Sequence, residues 1–196
     1  DRNLVEARAD AVKLADLVIP FSPNWVELLE AEGAKRVLWM PILMTSPPFC
    51  YIPEVAREFE VGFYGVMTPR RVRIIEDLGK EFDVHVLENC FDHKEVNMFI
   101  NKCKLVLNLH AYGDERIESR LGECGAAGAV VVSEPLPVYG KKLPNVHEAP
   151  TSELATRIAA VLPKIEERDR EACAEWYWRY FRLDQQLENV LEQMGL

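Results

Sequence analysis

The chain has 196 residues, of which 48% are hydrophobic and 28% are charged, a composition typical of one folded domain or of one domain with part of another. Its net charge of -9 argues against a nucleic-acid-binding protein that relies on phosphate contacts, although a local basic patch could still bind one phosphorylated ligand. No stretch resembles a signal peptide, and no apolar run is long enough to span a bilayer. The five cysteines are scattered without a Cys-x-x-Cys pair, so we expect reduced thiols in a cytoplasmic protein.

The first 46 residues predict one strand-helix-strand layer. Strands are expected at 17–21 and 36–40, on either side of a helix that Ser22 and Pro23 would open. Another helix is predicted at about 3–15. This layer has too little apolar surface to form a domain alone. Because the chain also begins at a residue other than Met, we expect it to be a fragment of a longer protein.

The next segment predicts a linker followed by an anion-binding turn. The proline-rich stretch 47–59 indicates a linker. A strand at 61–64 then ends at Gly65, where the backbone can approach a ligand closely. Thr68 is expected to cap a helix whose first turn contains Arg70 and Arg71, so that cations and unpaired backbone N–H groups would meet an anion. A solvated arginine pair on an ordinary helix is the alternative interpretation.

Two further strand-helix units complete the predicted sheet. A strand at 83–87 and a loop at 89–93 precede a helix at 94–102, and a buried strand follows at 105–109. A short helix then ends at Gly128, before a strand at 129–133. Strands that alternate with helices predict an α/β fold with a Rossmann-like parallel sheet flanked by helices. Ligands of such sheets bind beyond the carboxyl ends of the strands, where we expect the site.

The short helix contains charged side chains and an unusual run of small ones. Arg120 and Glu123 are three residues apart and share one helical face, while Glu115 lies eight residues before Glu123. A solvated ion pair is the simpler interpretation. The small residues that follow would leave one side of the helix open to the close approach of a strand or a ligand; they are Gly122, Gly125, Ala126, Ala127 and Gly128.

His110 follows the buried strand at its carboxyl end, where an α/β sheet exposes functional side chains. A lone histidine at such a position is nevertheless more often a structural loop residue. Neither a His-x-Glu nor a His-x-x-x-His spacing accompanies His110, and no two aspartates are two residues apart. We therefore predict that the site holds no metal ion.

The remaining chain predicts a loop at 135–150, an amphipathic helix at 152–162 and one long helix at 164–194. The long helix contains five clustered aromatic residues that are expected to pack in the core: Trp176, Tyr177, Trp178, Tyr180 and Phe181.

The run NLH…ERIESRLGECGAAGAVVVSE resembles the nucleotide-sugar-binding segment of GT-B glycosyltransferases, especially the family-1-type and spore-maturation CgeB-like branch. In that branch a strand ending in Leu-Asn precedes Arg-x-x-Glu, a glycine-containing helix end and a hydrophobic strand. Arg120, Glu123 and Gly128 match this pattern. Glu115 with Glu123 also matches the Glu-x7-Glu spacing of the wider retaining group, although Glu118 can be aligned in place of Glu115.

The resemblance implies how a donor would be held. Glu123 would bind the ribose hydroxyls, and Phe91 would stack on the base unless it packs in the core, as aromatic turn residues more often do. Arg120 and either Arg70 or Arg71 would neutralise the diphosphate without a divalent ion.

The resemblance also implies which residues would lie near the reacting sugar. The catalytic candidates are Glu115, Glu118 and His110. The first loop of the donor-binding half, here with Gly65 and Thr68, would meet the donor.

We therefore predict a glycosyltransferase that moves a sugar from a nucleoside-diphosphate-sugar donor to an unidentified acceptor, which could be a glycan, a lipid-linked molecule or a protein, with no further cofactor. Residues 1–46 would be the end of the acceptor-binding half, 47–59 a linker, 60–165 the donor-binding domain, and 166–196 a helix that crosses back between the halves. Because most of the acceptor-binding half is absent, this chain alone would bind a donor without turnover. The alternatives are a non-catalytic nucleotide-sugar or partner-binding module and a sugar-nucleotide epimerase of GT-B fold.

Overall fold

The computed structural model describes residues 9–20, 23–39, 47–112, 118–137 and 142–195. The chain forms two compact units, Asp1–Ile42 and Leu43–Leu196. Across the described ranges, no helix has both the length and the apolar character that a membrane span requires.

In its described residues, the first unit contains two short helices, α1 (Ala9–Leu14) and α2 (Val26–Ala31). Its two predicted strands are reduced to a single parallel bridge between Val18 and Val37 within the described residues. Backbone hydrogen bonds of 3.0 Å flank this bridge on both sides of Val18. The predicted order of strand, helix and strand is thus present, with less regular pairing than expected.

The second unit is an α/β domain with a five-stranded sheet. Its elements are β1 (Phe59–Gly65), α3 (Pro69–Leu78), β2 (Val84–Glu88), α4 (His93–Lys102), β3 (Cys103–Asn108), α5 (Arg120–Ala126), β4 (Val130–Ser133), β5 (Val146–Glu148), α6 (Leu154–Val161), α7 (Glu167–Tyr180) and α8 (Leu183–Met194). All strands are parallel, in the order β2-β1-β3-β4-β5. The predicted fold class, a Rossmann-like parallel sheet flanked by helices, is confirmed.

The central strands are apolar on both faces, as parallel strands between two helical layers must be. In β3, Leu105, Val106 and Leu107 are fully buried although successive side chains point to opposite faces. On one face, the main hydrophobic core joins the sheet to Ile75 of α3 and Ile158 of α6. The apolar run that predicted a buried strand therefore also explains why the sheet is covered on two sides.

Helix starts at the carboxyl edge of the sheet follow from local sequence. Thr68 accepts a hydrogen bond from the Arg71 backbone N–H, with Pro69 in the first turn of α3. Asp92 likewise accepts hydrogen bonds from the backbone N–H groups of Lys94 and Glu95 at the start of α4. These caps fix where the two helices begin, and so they fix the loops beside the strand ends.

Two predicted elements are wrong. The segment expected to be a loop at 135–150 contains the short strand β5, which adds to the edge of the sheet beside β4. The single helix expected at 164–194 is two helices, because Arg182 is extended between α7 and α8. The side chain of Phe181 is 3% exposed, and it packs against Trp176 and Tyr177. Burial of this aromatic ring accompanies the break in the helix.

Candidate functional site

The strand order places a switch point between β1 and β3. From β1 the chain moves outward to β2 and then returns to β3 on the other side, so the connections leave the sheet in opposite directions. A crevice at the carboxyl ends of the strands is expected at such a point. A cavity of about 290 Å³ lies there, at the lower end of the size range of small-molecule sites. We call it the β1/β3 cavity.

Four separate segments form the wall of this cavity. Phe49 precedes the sheet, and Tyr64 and Gly65 end β1. The loop after β2 and the first turns of α4 supply a second group, namely Cys90, Phe91, His93 and Val96. The start of α5 supplies a third group, namely Glu118, Ser119, Arg120 and Glu123. The structure therefore brings together five of the residues selected from sequence: Gly65, Phe91, Glu118, Arg120 and Glu123.

Arg120 belongs to the cavity wall and is 6% exposed. Its Nη1 donates to Asn108 Oδ1 at 2.9 Å and to Glu118 Oε2 at 3.1 Å, and its Nη2 donates to the Tyr64 carbonyl at 2.9 Å. Its Nε has no hydrogen-bond partner among the described residues. The Arg120 guanidinium is thus fixed at the strand ends, and its Nε–H group is still without an acceptor among the described residues.

Gly65 allows this arginine to lie against the backbone. Its φ of +129° is unfavourable for residues with a side chain, and a Cβ atom there would lie 2.9 Å from Arg120 Nη2. The close backbone approach predicted at Gly65 is therefore made in this structure by a side chain of the protein itself.

Arg71 is a second buried guanidinium directly behind the cavity wall. It donates to the Leu109 carbonyl from Nε at 3.0 Å and from Nη2 at 2.6 Å, and to the Val66 carbonyl from Nη1 at 2.9 Å. Burial, and then the charge of Arg120, lower the pKa of Arg71. Glu118 lies between these two cations, 3.4 Å from Arg71 and 3.1 Å from Arg120.

The ring of Phe63 lies close to both arginines. The Cζ atom of Arg71 is 5.3 Å from the ring centroid, and that of Arg120 is 4.9 Å away. Both distances are within the range of cation–π attraction. One fully buried aromatic side chain thus contacts both cations at the strand ends.

Glu123 is half-buried and is held by Tyr64. The Tyr64 hydroxyl donates to Glu123 Oε2 at 2.6 Å. The pKa of Tyr64 is raised well above its usual value, mainly by burial and then by the nearby Cys124 and Glu123. The phenol therefore remains a donor at neutral pH. Tyr64 was not among the residues selected from sequence.

Phe91 projects from the loop after β2. It is 81% exposed and forms part of the cavity wall. The alternative that this ring packs in the core is wrong. An exposed aromatic face beside a polar cavity is suited to stacking on a planar ligand.

Arg70 and Thr68 lie near the cavity and are engaged elsewhere. Arg70 forms an ion pair with Glu134 and also donates to the His110 carbonyl. The Thr68 hydroxyl donates to the Ala111 carbonyl at 3.1 Å. Neither residue belongs to the described wall of the β1/β3 cavity.

His110 is 2% exposed. Its Nε2 is 2.9 Å from the Pro135 carbonyl, and its Nδ1 has no hydrogen-bond partner among the described residues. Glu115, the other catalytic candidate from sequence, lies outside the described residues. No group of three or more potential metal-ligating side chains occurs in the described part of the chain.

The small residues in and just after α5 allow the close approach of another helix, instead of the expected strand or ligand. A Cβ atom at Gly125 would lie 2.4 Å from ring atoms of Tyr177, and one at Gly128 would lie 2.4 Å from the Arg170 carbonyl oxygen. Both partners belong to α7. The glycines thus let α7 pack closely on α5, on the side away from the cavity.

A larger cavity of about 550 Å³ lies at the opposite edge of the sheet, between α6 and α7. Gly128, Val130 and Asn145 in its wall precede or begin strands β4 and β5. Ligands of open α/β sheets bind at the carboxyl ends of the strands. We therefore assign the candidate site to the smaller β1/β3 cavity, which lies at those ends.

The strand order and the position of the β1/β3 cavity define an α/β domain with a cavity at its switch point, where open sheets of this kind bind ligands. No protein-family model matches the chain. A 62-residue stretch is 37% identical to the uncharacterized protein L140 of Acanthamoeba polyphaga mimivirus, and the match covers 31% of this chain and 20% of that protein.

Among solved structures, the chain is similar to the crystal structure of accessory secretory protein 1, 2 and 3 in Streptococcus pneumoniae. The TM-score is 0.51 at 11% sequence identity, over 98% of this chain and 46% of that chain. This likeness shows the α/β fold alone. In both comparisons the match spans less than half of the other protein's length.

Proposed function

We propose that the second unit binds a nucleoside-diphosphate sugar and is the donor-binding half of a GT-B glycosyltransferase. The observation on which this depends is that Glu123 and Arg120 share one cavity at the β1/β3 switch point. A carboxylate accepts hydrogen bonds from hydroxyl groups, and a guanidinium donates to phosphate oxygens. Together they match the ribose and the diphosphate of such a donor.

The other residues of the cavity wall support the same assignment. Phe91 offers an exposed ring on which a base can stack. Arg71 shares the contacts of Arg120 with Phe63 and Glu118 and adds positive charge at the strand ends, so the diphosphate would be neutralised without a divalent ion. Among the catalytic candidates in the described residues, Glu118 belongs to the cavity wall. The cysteines are all free thiols, which supports a cytoplasmic location.

A non-catalytic nucleotide-sugar-binding module is the second candidate function. Its support is that two catalytic candidates are engaged in internal contacts. His110 is buried against the Pro135 carbonyl, and Glu118 is held between Arg71 and Arg120. A general acid or base needs to reach the reacting group, so these internal contacts favour binding without catalysis.

Calorimetric titration with UDP, GDP, ADP and TDP tests donor binding, using wild type, Glu123→Ala and Glu88→Ala. Glu88 is a matched control because it is an exposed glutamate at the carboxyl end of β2 that is not part of the described cavity wall. We expect one nucleotide to bind and Glu123→Ala to weaken it about tenfold or more, since hydrogen bonds to charged groups contribute about 1.5–3 kcal/mol. Glu88→Ala should bind as wild type does.

Failure of all four nucleotides to bind the folded chain would refute a donor site in this unit. Where binding is found, product analysis with a longer form of the protein separates the remaining functions. A transferase yields a glycosylated acceptor, an epimerase changes the donor without an acceptor, and a binding module leaves the donor intact.

A further inference from the structure

We propose that Tyr64 is a positioning residue that orients the Glu123 carboxylate toward a ribose diol and thereby makes the site selective for ribonucleotides over deoxyribonucleotides. This inference rests on the proposed function, because it concerns how the same cavity recognises its donor.

Tyr64 is itself held in a single position. It is the penultimate residue of β1 and is 7% exposed. Its backbone carbonyl accepts a hydrogen bond of 2.9 Å from Arg120 Nη2. Its ring lies 5.1 Å from the Arg120 Cζ atom. A hydroxyl group on so fixed a ring can define the position of the carboxylate that it contacts.

The hydrogen bond between Tyr64 and Glu123 uses only one carboxylate oxygen. The hydroxyl donates to Oε2 at 2.6 Å, and no described residue donates to Oε1. An ionised carboxylate has about four lone-pair sites, so three remain. The two vicinal hydroxyls of a ribose are two donors at a spacing that one carboxylate can accept. A deoxyribose lacks one of these donors.

Retention of the Tyr64 proton follows from its surroundings. Burial raises the pKa of the phenol, and the neighbouring Cys124 and Glu123 raise it further. The Tyr64 hydroxyl therefore stays protonated and donates its hydrogen bond to Glu123 throughout the physiological pH range.

The alternative is that this hydrogen bond serves only the packing of β1 against α5. Loss of a packing contact would weaken the binding of every nucleotide by the same factor. Loss of carboxylate positioning would weaken ribonucleotides more than deoxyribonucleotides, because only the former use both hydroxyl contacts. The ratio of the two affinities separates these roles.

The test measures binding of the nucleoside diphosphate identified by calorimetry, in its ribo, 2′-deoxy and 3′-deoxy forms, to wild type, Tyr64→Phe and Tyr51→Phe. Tyr51 is a matched control because its hydroxyl also donates to a glutamate, Glu167, at 3.0 Å, away from the cavity wall. For wild type we expect the ribo form to bind about tenfold more tightly than either deoxy form.

In Tyr64→Phe we expect affinity for the ribo form to fall about five- to tenfold and affinity for the deoxy forms to change by less than about twofold. Tyr51→Phe should keep the wild-type ratio. Glu123→Asp draws the carboxylate away from an intact Tyr64, so it should also reduce the ratio. This variant gives an independent test if Tyr64→Phe fails to fold.

Equal losses for the ribo and deoxy forms in Tyr64→Phe, or a wild-type ratio in Glu123→Asp, would overturn the inference while leaving donor binding established. Absence of nucleotide binding by wild type would overturn the proposed function and this inference with it.

Discussion

The guanidinium of Arg70, in the first turn of α3, forms two hydrogen bonds with the carboxylate of Glu134, the residue that follows β4. Glu134 is 1% exposed, and it also accepts hydrogen bonds from the Thr151 hydroxyl and the His110 backbone N–H. Burial alone would raise the pKa of the Glu134 carboxyl, but these hydrogen bonds outweigh it and hold the pKa below its usual range. One carboxylate therefore joins four segments at the carboxyl edge of the sheet.

We expect Glu134→Gln to destabilise the protein by about 1–3 kcal/mol at pH 7, since one partner of a largely buried ion pair is lost. A carboxyl whose pKa is lower in the folded state stabilises the folded protein at pH values above its unfolded-state pKa. This stabilisation is lost as the pH falls through the folded-state pKa. The difference in unfolding free energy should therefore shrink below about pH 4. Urea unfolding at pH 7 and pH 3 measures it, with the exposed Glu153→Gln as control. An undiminished difference at pH 3 would contradict this assignment.

Packing of α7 on α5 requires a glycine at position 125. A Cβ atom there would lie 2.4 Å from ring atoms of Tyr177, which is fully buried. We expect Gly125→Ala to lower the unfolding free energy by about 1–3 kcal/mol through overpacking. The loss should be smaller in a Tyr177→Leu background, because the clash is removed. Simple additivity of the two substitutions would show that the clash is relieved elsewhere.

Phe91 should contribute to nucleotide binding and little to stability. Because its ring is 81% exposed, we expect Phe91→Ala to change the unfolding free energy by less than about 0.5 kcal/mol. Loss of base stacking should lower the affinity for the nucleoside diphosphate about tenfold. Met98→Ala is the comparison, since Met98 is 40% exposed on the adjacent helix and not in the described cavity wall. Equal affinities of the two variants would remove Phe91 from the site.

Thiol labelling reports on both the core and the cavity. Cys50 and Cys90 are at least partly accessible and should react in the folded protein. Cys103 and Cys173 are buried, and burial raises the pKa of each thiol to about 12; with buried Cys124, they should react only on unfolding.

A bound nucleotide should slow the labelling of Cys90, which belongs to the cavity wall, and should leave Cys50 unaffected. Mass spectrometry of the labelled peptides distinguishes the two thiols, and a Cys50→Ser variant isolates Cys90. Protection of Cys50 alone would place the ligand elsewhere.

Local signals in the sequence predicted much of the fold. Apolar runs located β1, β2, β3 and β4, and Thr68 with Pro69 located the start of α3. The three-residue spacing of Arg120 and Glu123 predicted one helical face, and both residues lie in the cavity wall. These features depend on neighbours within a few positions, which a sequence displays directly.

Contacts between distant segments could not be predicted in this way. Arg70 and Arg71 are equivalent in sequence, but the fold pairs the first with Glu134 and buries the second against the Leu109 carbonyl. The bond between Tyr64 and Glu123 joins residues 59 positions apart. A tyrosine at the end of an apolar strand gave no signal of such a partner. The strand β5 was missed because it is only three residues long.

The contact of the Phe63 ring with both Arg71 and Arg120 has a consequence for the thermodynamics of binding. Ordering a free arginine side chain costs up to about 2 kcal/mol of rotamer entropy. Here both side chains are already held when the domain folds, by the ring and by hydrogen bonds to backbone carbonyls. An arriving anion would therefore meet rigid cations, so we expect the free and occupied cavities to superpose closely. Replacing Phe63 by leucine would keep an apolar core and remove one contact from each guanidinium, while the hydrogen bonds to the Leu109 and Tyr64 carbonyls remain. The two side chains would keep part of their order, so anion capture should become only moderately more costly in entropy.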